Sequence, residues 1–238
     1  AADNTAVGYK ALQDTSTGVN NTAVGSNALR ENTTASANTA VGMDALYTNT
    51  TGSANTAVGK DALKLNVTGS NNTALGQSAL NVSLASNNTA VGRNTLVANT
   101  SGTGNDGLGT TALTSNTTGS YNVGLGFQSM YNNTTASNNT AVGHAAMFNS
   151  NGGNNVALGY EALKANTTGS NSTAVGHRAL YSVTTASMST ALGYNAGGNV
   201  TGVENICIGG QSGANITSGT YNITIGLYAG GYQNSHTG

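Results

Sequence analysis

Asn4-Thr5-Ala6-Val7-Gly8 decides the reading of this chain, because the same five-residue phrase returns about every seventeen residues as far as Asn222-Ile223-Thr224-Ile225-Gly226. Its fourteen copies start at residues 4, 21, 38, 55, 72, 88, 105, 122, 139, 155, 172, 189, 205 and 222; the step shortens to sixteen only after Asn72, Asn139 and Ser189. One unit this short cannot bury an apolar face alone, whereas stacked copies can, so the pattern predicts a solenoid with one coil per repeat. Residues 1–238 are read as a single repeat domain, with columns numbered one to seventeen from the first residue of each copy.

Column five is Gly throughout: Gly8, Gly25, Gly42, Gly59, Gly76, Gly92, Gly109, Gly126, Gly143, Gly159, Gly176, Gly193, Gly209 and Gly226. Such repetition within one chain predicts a left-handed backbone there, or no room for a Cβ. Column four is Val, Leu or Ile in every copy, from Val7 to Ile225, and on hydrophobicity is expected to face the core. Column two exchanges Thr for Val123, Val156, Ile206 and Ile223, so columns two and four share one face of a short strand. Column three is small (Ala6, Ala23, Gly124, Cys207) and points the other way. With column eight it is expected to form a stripe that another backbone approaches closely. Columns eight and nine, usually Ala-Leu, supply a second apolar rung, and Asn-Thr-Thr-Gly at columns twelve to fifteen closes the coil in a turn.

A helix is the competing reading of Ala-Val-Gly-x-x-Ala-Leu. It fails because the repeating Gly and Asn-Thr-Thr-Gly leave no ten-residue window free of helix-weakening residues. The expected fold is therefore all-β: a parallel β-solenoid, or β-roll, of about fourteen coils with a 16–17-residue repeat and strands about 4.8 Å apart. Asn fills column one in twelve of fourteen copies, which predicts a side-chain amide ladder down the stack. No polar capping element appears at either end, so the reading expects a segment of a longer protein or ends stacked on other subunits. Ala35, Ala85, Ala136 and Ala186 replace the turn Gly about every three coils, as duplication of a three-coil unit would leave them.

Composition narrows the function classes. Only 6% of residues are charged and the net charge is -1, with the few Lys and Arg scattered, which argues against nucleic acid as a partner. No apolar run approaches the roughly 18 residues of a membrane span, and no leader-like segment opens the sequence, as expected of a mature or excised segment. Cys207, the one cysteine, excludes an intrachain disulfide and reads as a small core filler. Asn-x-Thr sequons such as Asn32-Thr33-Thr34 and Asn116-Thr117-Thr118 are read first as turn chemistry.

No set of residues points to catalysis, a cofactor or a metal site. Asp44 and Asp61 in column seven read as solvated charges, and Glu161 with Arg178 as a weak exposed pair. His144 and His177 share column six but are separated by Tyr160, about two strand spacings or roughly 9.6 Å. Thr103-Gly104-Asn105-Asp106 resembles a calcium-binding β-roll turn in a single instance, short of the repeated nonapeptide such sites need. A pectin-degrading solenoid would need acidic residues clustered on one face, and the chain has too few. The candidate ligand contacts are instead the aromatic residues of the variable columns: Tyr9, Phe127, Tyr160 and Tyr194 in column six, and Tyr47, Tyr131, Phe148 and Tyr181 in column ten. Exposed rings on a rigid face can stack on sugars or anchor a protein.

The strands Val156-Ala157-Leu158-Gly159 and Ile206-Cys207-Ile208-Gly209 resemble the Val-Ala-Ile-Gly repeat of YadA-like head domains of trimeric autotransporter adhesins. The 16–17-residue coil is longer than that family's repeat of about fourteen, with the extra residues in the Asn-Thr-Thr-Gly turn; the longer repeat resembles the Asn-Thr-Ala-Val-Gly-Tyr-x-Ala-Leu arrays of bacterial and phage tail-fibre-like proteins. The resemblance covers the whole chain. It implies left-handed β-rolls packed as a homotrimer, an extracellular or cell- or virion-surface location, and a structural or adhesive role as head or shaft of a fibre, with a host-surface glycan or protein as partner. The alternative reading is a monomeric ice-binding solenoid presenting the Thr-Thr pairs of columns thirteen and fourteen.

Overall fold

The computed structural model describes residues 3–230. Its contacts gather into two compact units, Ala1–Thr135 and Ala136–Gly238. The first holds β1 (Thr5–Val7), β2 (Thr22–Val24), β3 (Thr39–Val41), β4 (Thr56–Val58), β5 (Thr73–Leu75), β6 (Thr89–Val91), β7 (Asp106–Leu108) and β8 (Val123–Leu125). The second holds β9 (Thr140–Val142), β10 (Val156–Leu158), β11 (Thr173–Val175), β12 (Thr190–Leu192), β13 (Ile206–Ile208) and β14 (Ile223–Ile225). Within each unit consecutive strands pair parallel and in register, column on column, as with Ala40 beside Ala57 and Ala157 beside Ala174. The fold is the expected parallel β-solenoid, with no helix among the described residues.

The strand faces are the reverse of the expectation. Column three is the buried one: Ala23, Ala40, Ala57, Ala141, Ala174 and Cys207 have no exposed surface. Column four, expected in the core, faces out: Val7 is 58% exposed, Val58 38%, Leu108 53% and Leu192 49%, while Val91 and Val142 are half-buried. The coil is too thin to hold a branched side chain from the strand as well as the Leu of column nine. It therefore packs Ala from columns three and eight around Leu29, Leu46, Leu63, Leu113 and Leu163, all fully buried. The small-residue stripe of columns three and eight is thus the inside of the coil and offers no surface to a second chain.

Column five behaves as its repetition predicts. Gly59 has φ +133°, and a Cβ placed on it would lie 2.6 Å from the carbonyl oxygen of Gly76 in the next coil. The chain then takes three further left-handed residues per coil, as at Asp44 (φ 56°), Leu46 (φ 51°) and Ala54 (φ 58°). A bulky Leu is rarely found in that conformation, but the turn at Leu46 aims its side chain inward and lets Leu46 N–H donate to Ala62 C=O in the next coil.

Polar side chains complete the stack by pairing with the neighbouring coil. In column one, Asn38 N–H and Nδ2 both donate to Asn21 Oδ1, at 3.0 and 3.2 Å, which is the expected ladder. A second, unanticipated ladder runs down column twelve, where Asn49 Nδ2 donates to Asn32 Oδ1 and Asn66 Nδ2 to Asn49 Oδ1. The two ladders meet on the column-fifteen carbonyls: Gly69 C=O accepts from both Asn55 and Asn66. Column sixteen adds Ser hydroxyls that accept backbone N–H groups, as Ser53 does from Ser36. Column thirteen adds Thr hydroxyls that donate to the next coil, as Thr33 does to Thr50 C=O. A low-charge chain thus satisfies most of its buried polar groups with neutral amides and hydroxyls.

Among the described residues, column twelve departs from Asn at Thr15, Ser83, Ser150, Val183, Val200 and Ile216. Asn99 and Asn166 still donate to the Ser83 and Ser150 hydroxyls, at 3.4 and 3.3 Å, and the ladder ends where Val183, Val200 and Ile216 take over. Asn66 Oδ1, above Ser83, is buried without a hydrogen-bond partner. Toward the end of the second unit Gly197 and Gly213 replace the column-nine Leu in the same left-handed conformation. Val200, fully buried, and Ile216, half-buried, stand in column twelve of those coils. The apolar volume lost from one column reappears in the other, at the cost of the amide ladder.

Candidate functional site

Column six lies just past the turning Gly and projects outward, as Lys60, Arg93, His144 and His177 all do. In the second unit four successive copies carry a π system there, and register alone brings the rings together. His144 stacks on Tyr160 with centroids 5.1 Å apart, Tyr160 on His177 at 5.0 Å, and His177 on Tyr194 at 5.2 Å, with interplanar angles of 13–18°. Both faces of Tyr160 and of His177 are therefore covered by neighbouring rings, and solvent meets their edges. Each such pair contributes roughly 0.5–1.5 kcal/mol, so the ladder stiffens this face as well as decorating it.

A charged cluster adjoins it. Glu161, only 5% exposed, is held by Lys164 Nζ at 2.5 Å and by Arg178 Nε at 2.8 Å. This corrects the expectation of a weak exposed pair. Burial pushes the Glu161 carboxyl up, but hydrogen bonds from Lys164 and Arg178, and their charges, outweigh it and hold the group below the usual range. So fixed, the Arg178 guanidinium lies 6.0 Å from the centroid of the Tyr160 ring and 5.1 Å from that of Tyr181, joining columns six and ten. Lys164 sits 5.8 Å over Tyr181.

Of the eight candidate aromatics, the structure brings Tyr160, Tyr181 and Tyr194 into this cluster. Tyr9, exposed at the first coil, carries Lys10 over its ring at 5.2 Å, while Tyr47, two coils on, meets Arg30 at 5.3 Å; these are separate cation–π contacts. Phe127 is exposed and Tyr131 half-buried in coil eight of the first unit, and Phe148 half-buried in coil nine. His144, His177, Arg178 and Glu161 were missed as members of the cluster. The signal available was a run of four ring-bearing residues in one column. With the Tyr160 ring between them, His144 and His177 share no metal, and no group of three or more His, Cys, Asp or Glu suited to a metal occurs among the described residues.

In the first unit the column-seven carboxylates are bridged: Lys64 Nζ lies 3.1 Å from Asp44 Oδ2 and 3.0 Å from Asp61 Oδ1. Burial raises the Asp44 carboxyl, and hydrogen bonds from Asn27 and Lys64 more than reverse this. The sequons at Asn32 and Asn116 lie in the buried column-twelve ladder, with both side chains fully enclosed and their amides committed to Ala35 and Gly119 carbonyls. The folded coil therefore withholds them from any glycosylating enzyme.

The second feature is the outer strand face itself. Columns two and four set two parallel rows on it, with Thr22, Thr39, Thr56 and Thr73 beside Val24, Val41, Val58 and Leu75 in the first unit. In the second unit the rows become Ile206 and Ile223 beside Ile208 and Ile225. The hydroxyls of Thr22, Thr39, Thr56 and Thr73 make no hydrogen bond to another described residue. No described residue of column four is buried, and no helix among the described residues is long and apolar enough to cross a membrane. The chain matches no protein-family model and no curated protein.

Proposed function

We propose that this chain is a non-catalytic structural and adhesive segment, the head or shaft of an extracellular adhesin or tail fibre, in which identical chains associate as a homotrimer through the outer strand face. The observation that carries the reading is column four: Val, Leu or Ile in all fourteen copies, yet buried in none of the described coils. Fully burying such a side chain contributes about 1.5–3 kcal/mol. Covering the exposed part of each column-four residue then contributes on the order of 1 kcal/mol per coil, or about 14 kcal/mol per chain, comparable to the roughly 4–15 kcal/mol cost of association. A face that repeats with every coil is matched by an identical chain in register, and closed symmetry limits the assembly. The count of three rests on the resemblance to trimeric adhesin heads.

Light scattering on the chain fused to a neutral soluble partner tests this: three chains per particle are expected, and conversion to monomer when Val58 and Leu75 are both changed to Lys. A stable folded monomer at micromolar concentration would overturn it. One observation favours a second reading, an ice-binding solenoid. The array proposed from sequence lies on turns, where the column-thirteen hydroxyls are spent on neighbouring carbonyls. The strand face of β2–β5 instead offers a regular row of Thr hydroxyls with no protein partner. Thermal hysteresis from a monomer, lost in Thr56→Tyr, would put that reading first.

A further inference from the structure

The ladder of the second unit differs from the ordinary aromatic platform, since its inner rings, Tyr160 and His177, are stacked on both faces and cannot offer those faces to a sugar. They offer edges, and the edges of Tyr and His carry the phenol O–H and the imidazole nitrogens, which are hydrogen-bonding groups. Beside them Arg178 uses Nε to hold Glu161, which leaves its terminal nitrogens without a hydrogen-bond partner among the described residues, on a half-exposed side chain. Lys164 and Arg178 against Glu161 leave one positive charge, in a unit whose only other carboxylate side chain is Glu204. The outcome is a rigid, donor-rich strip with a fixed guanidinium, and guanidinium matches carboxylate in geometry as well as charge.

We propose that the strip formed by Tyr160, His177, Tyr194 and Arg178 binds a carboxylate-bearing saccharide, the carboxylate on the Arg178 terminal nitrogens and the sugar hydroxyls on the ring edges. This inference rests on the adhesive reading above and specifies the ligand class for it. A neutral sugar lacks the group that Arg178 is placed to recognise, and a purely apolar ligand finds no open ring face between the ends of the ladder. Glu161 is a positioning residue here: it fixes the guanidinium and does not touch the ligand.

The test is binding of the full chain to three probes, a hyaluronan octasaccharide, an oligogalacturonate and 3′-sialyllactose, each beside its carboxyl methyl ester, in buffer of fixed moderate salt. The expected result is that at least one probe binds, that its methyl ester binds at least tenfold more weakly, and that Arg178→Gln weakens the acid form by a similar factor. Arg93→Gln, an equal charge change on an exposed column-six residue of the first unit, is expected to leave binding unchanged. Failure of all three probes overturns the proposal, as does equal binding of acid and ester, or an equal loss in the two Arg variants, which would reduce the effect to general charge. Circular dichroism confirms that both variants are folded. Light scattering on the same samples separates this inference from the assembly: a trimer that binds none of the probes sinks only the ligand, and a monomer that binds one sinks only the trimer.

Discussion

Asn116→Asp is the most exacting probe of how this stack holds together, since it changes a single atom in a side chain with no exposed surface. Asn116 Nδ2 donates to Asn99 Oδ1 and to Gly119 C=O, both at 2.9 Å, and Asn116 Oδ1 accepts from Asn133 Nδ2 at 2.9 Å. The carboxylate keeps the acceptor and replaces the double donor with an oxygen facing two other oxygens. Asn99 Oδ1 loses its donor, which costs about 1–3 kcal/mol, whereas Gly119 C=O keeps the bond from Asn105 Nδ2 at 2.8 Å; the burial of a charge against two oxygens adds several kcal/mol to this. Against a typical domain stability of roughly 5–15 kcal/mol, the variant stands near the edge of folding at neutral pH. The site favours the neutral carboxyl, so its folded pKa lies above the unfolded value of about 3.9. The penalty is therefore present above the folded pKa and shrinks as the pH falls through it, where the protonated group can also donate one of the two lost bonds. Urea denaturation at pH 7 and pH 4 measures the gap between variant and parent, with Asn116→Ala as a reference whose gap does not follow the Asp titration. A variant as stable as the parent at pH 7, or a gap that does not narrow at pH 4, would refute the donor role assigned to this amide.

The strand faces are tested by adjacent residues: Ala57→Asp places an unpaired charge in the fully buried column and is expected to cost several kcal/mol, whereas Val58→Asp in an isolated chain is expected to change stability by less than about 1 kcal/mol; equal melting temperatures would show the faces to be misassigned. Gly59→Ala, with its Cβ 2.6 Å from the Gly76 carbonyl oxygen and φ +133°, is expected to lower the unfolding free energy from urea denaturation well beyond the roughly 0.5 kcal/mol of an ordinary exposed substitution. Cys207 is fully buried, and burial pushes its thiol up against a smaller opposing effect of the Thr224 hydrogen bond, so iodoacetamide is expected to leave it unmodified at pH 8 until urea unfolds the second unit, as read by mass. The depressed Glu161 carboxyl contributes stability that is fully present above its unfolded pKa of about 4.3 and is lost as pH falls through the folded value; Glu161→Gln is therefore expected to lower the melting temperature at pH 7 more than at pH 3.

The sequence by itself determined the period, the place of each strand, the turning Gly and the column-one amide ladder. These follow from backbone needs that recur identically in every copy: only Gly fits where a Cβ would strike the next coil, and identical residues in register must stack on themselves. Only the tertiary structure decided which strand face is inside. Alternation distinguishes two faces without saying which one the coil encloses, and hydrophobicity pointed to Val58 when the interior had room only for Ala57. The enclosed volume is set by how closely the strand lies to Leu63 and Asn66 on the far side of the coil, a distance written in no single column. The same holds for the candidate site. Tyr160 and Tyr194 were visible as ring-bearing residues of a variable column, but their stacking with His144 and His177, and the reach of Arg178 across to Tyr181 from the buried Glu161, depend on side-chain directions that the coil geometry fixes.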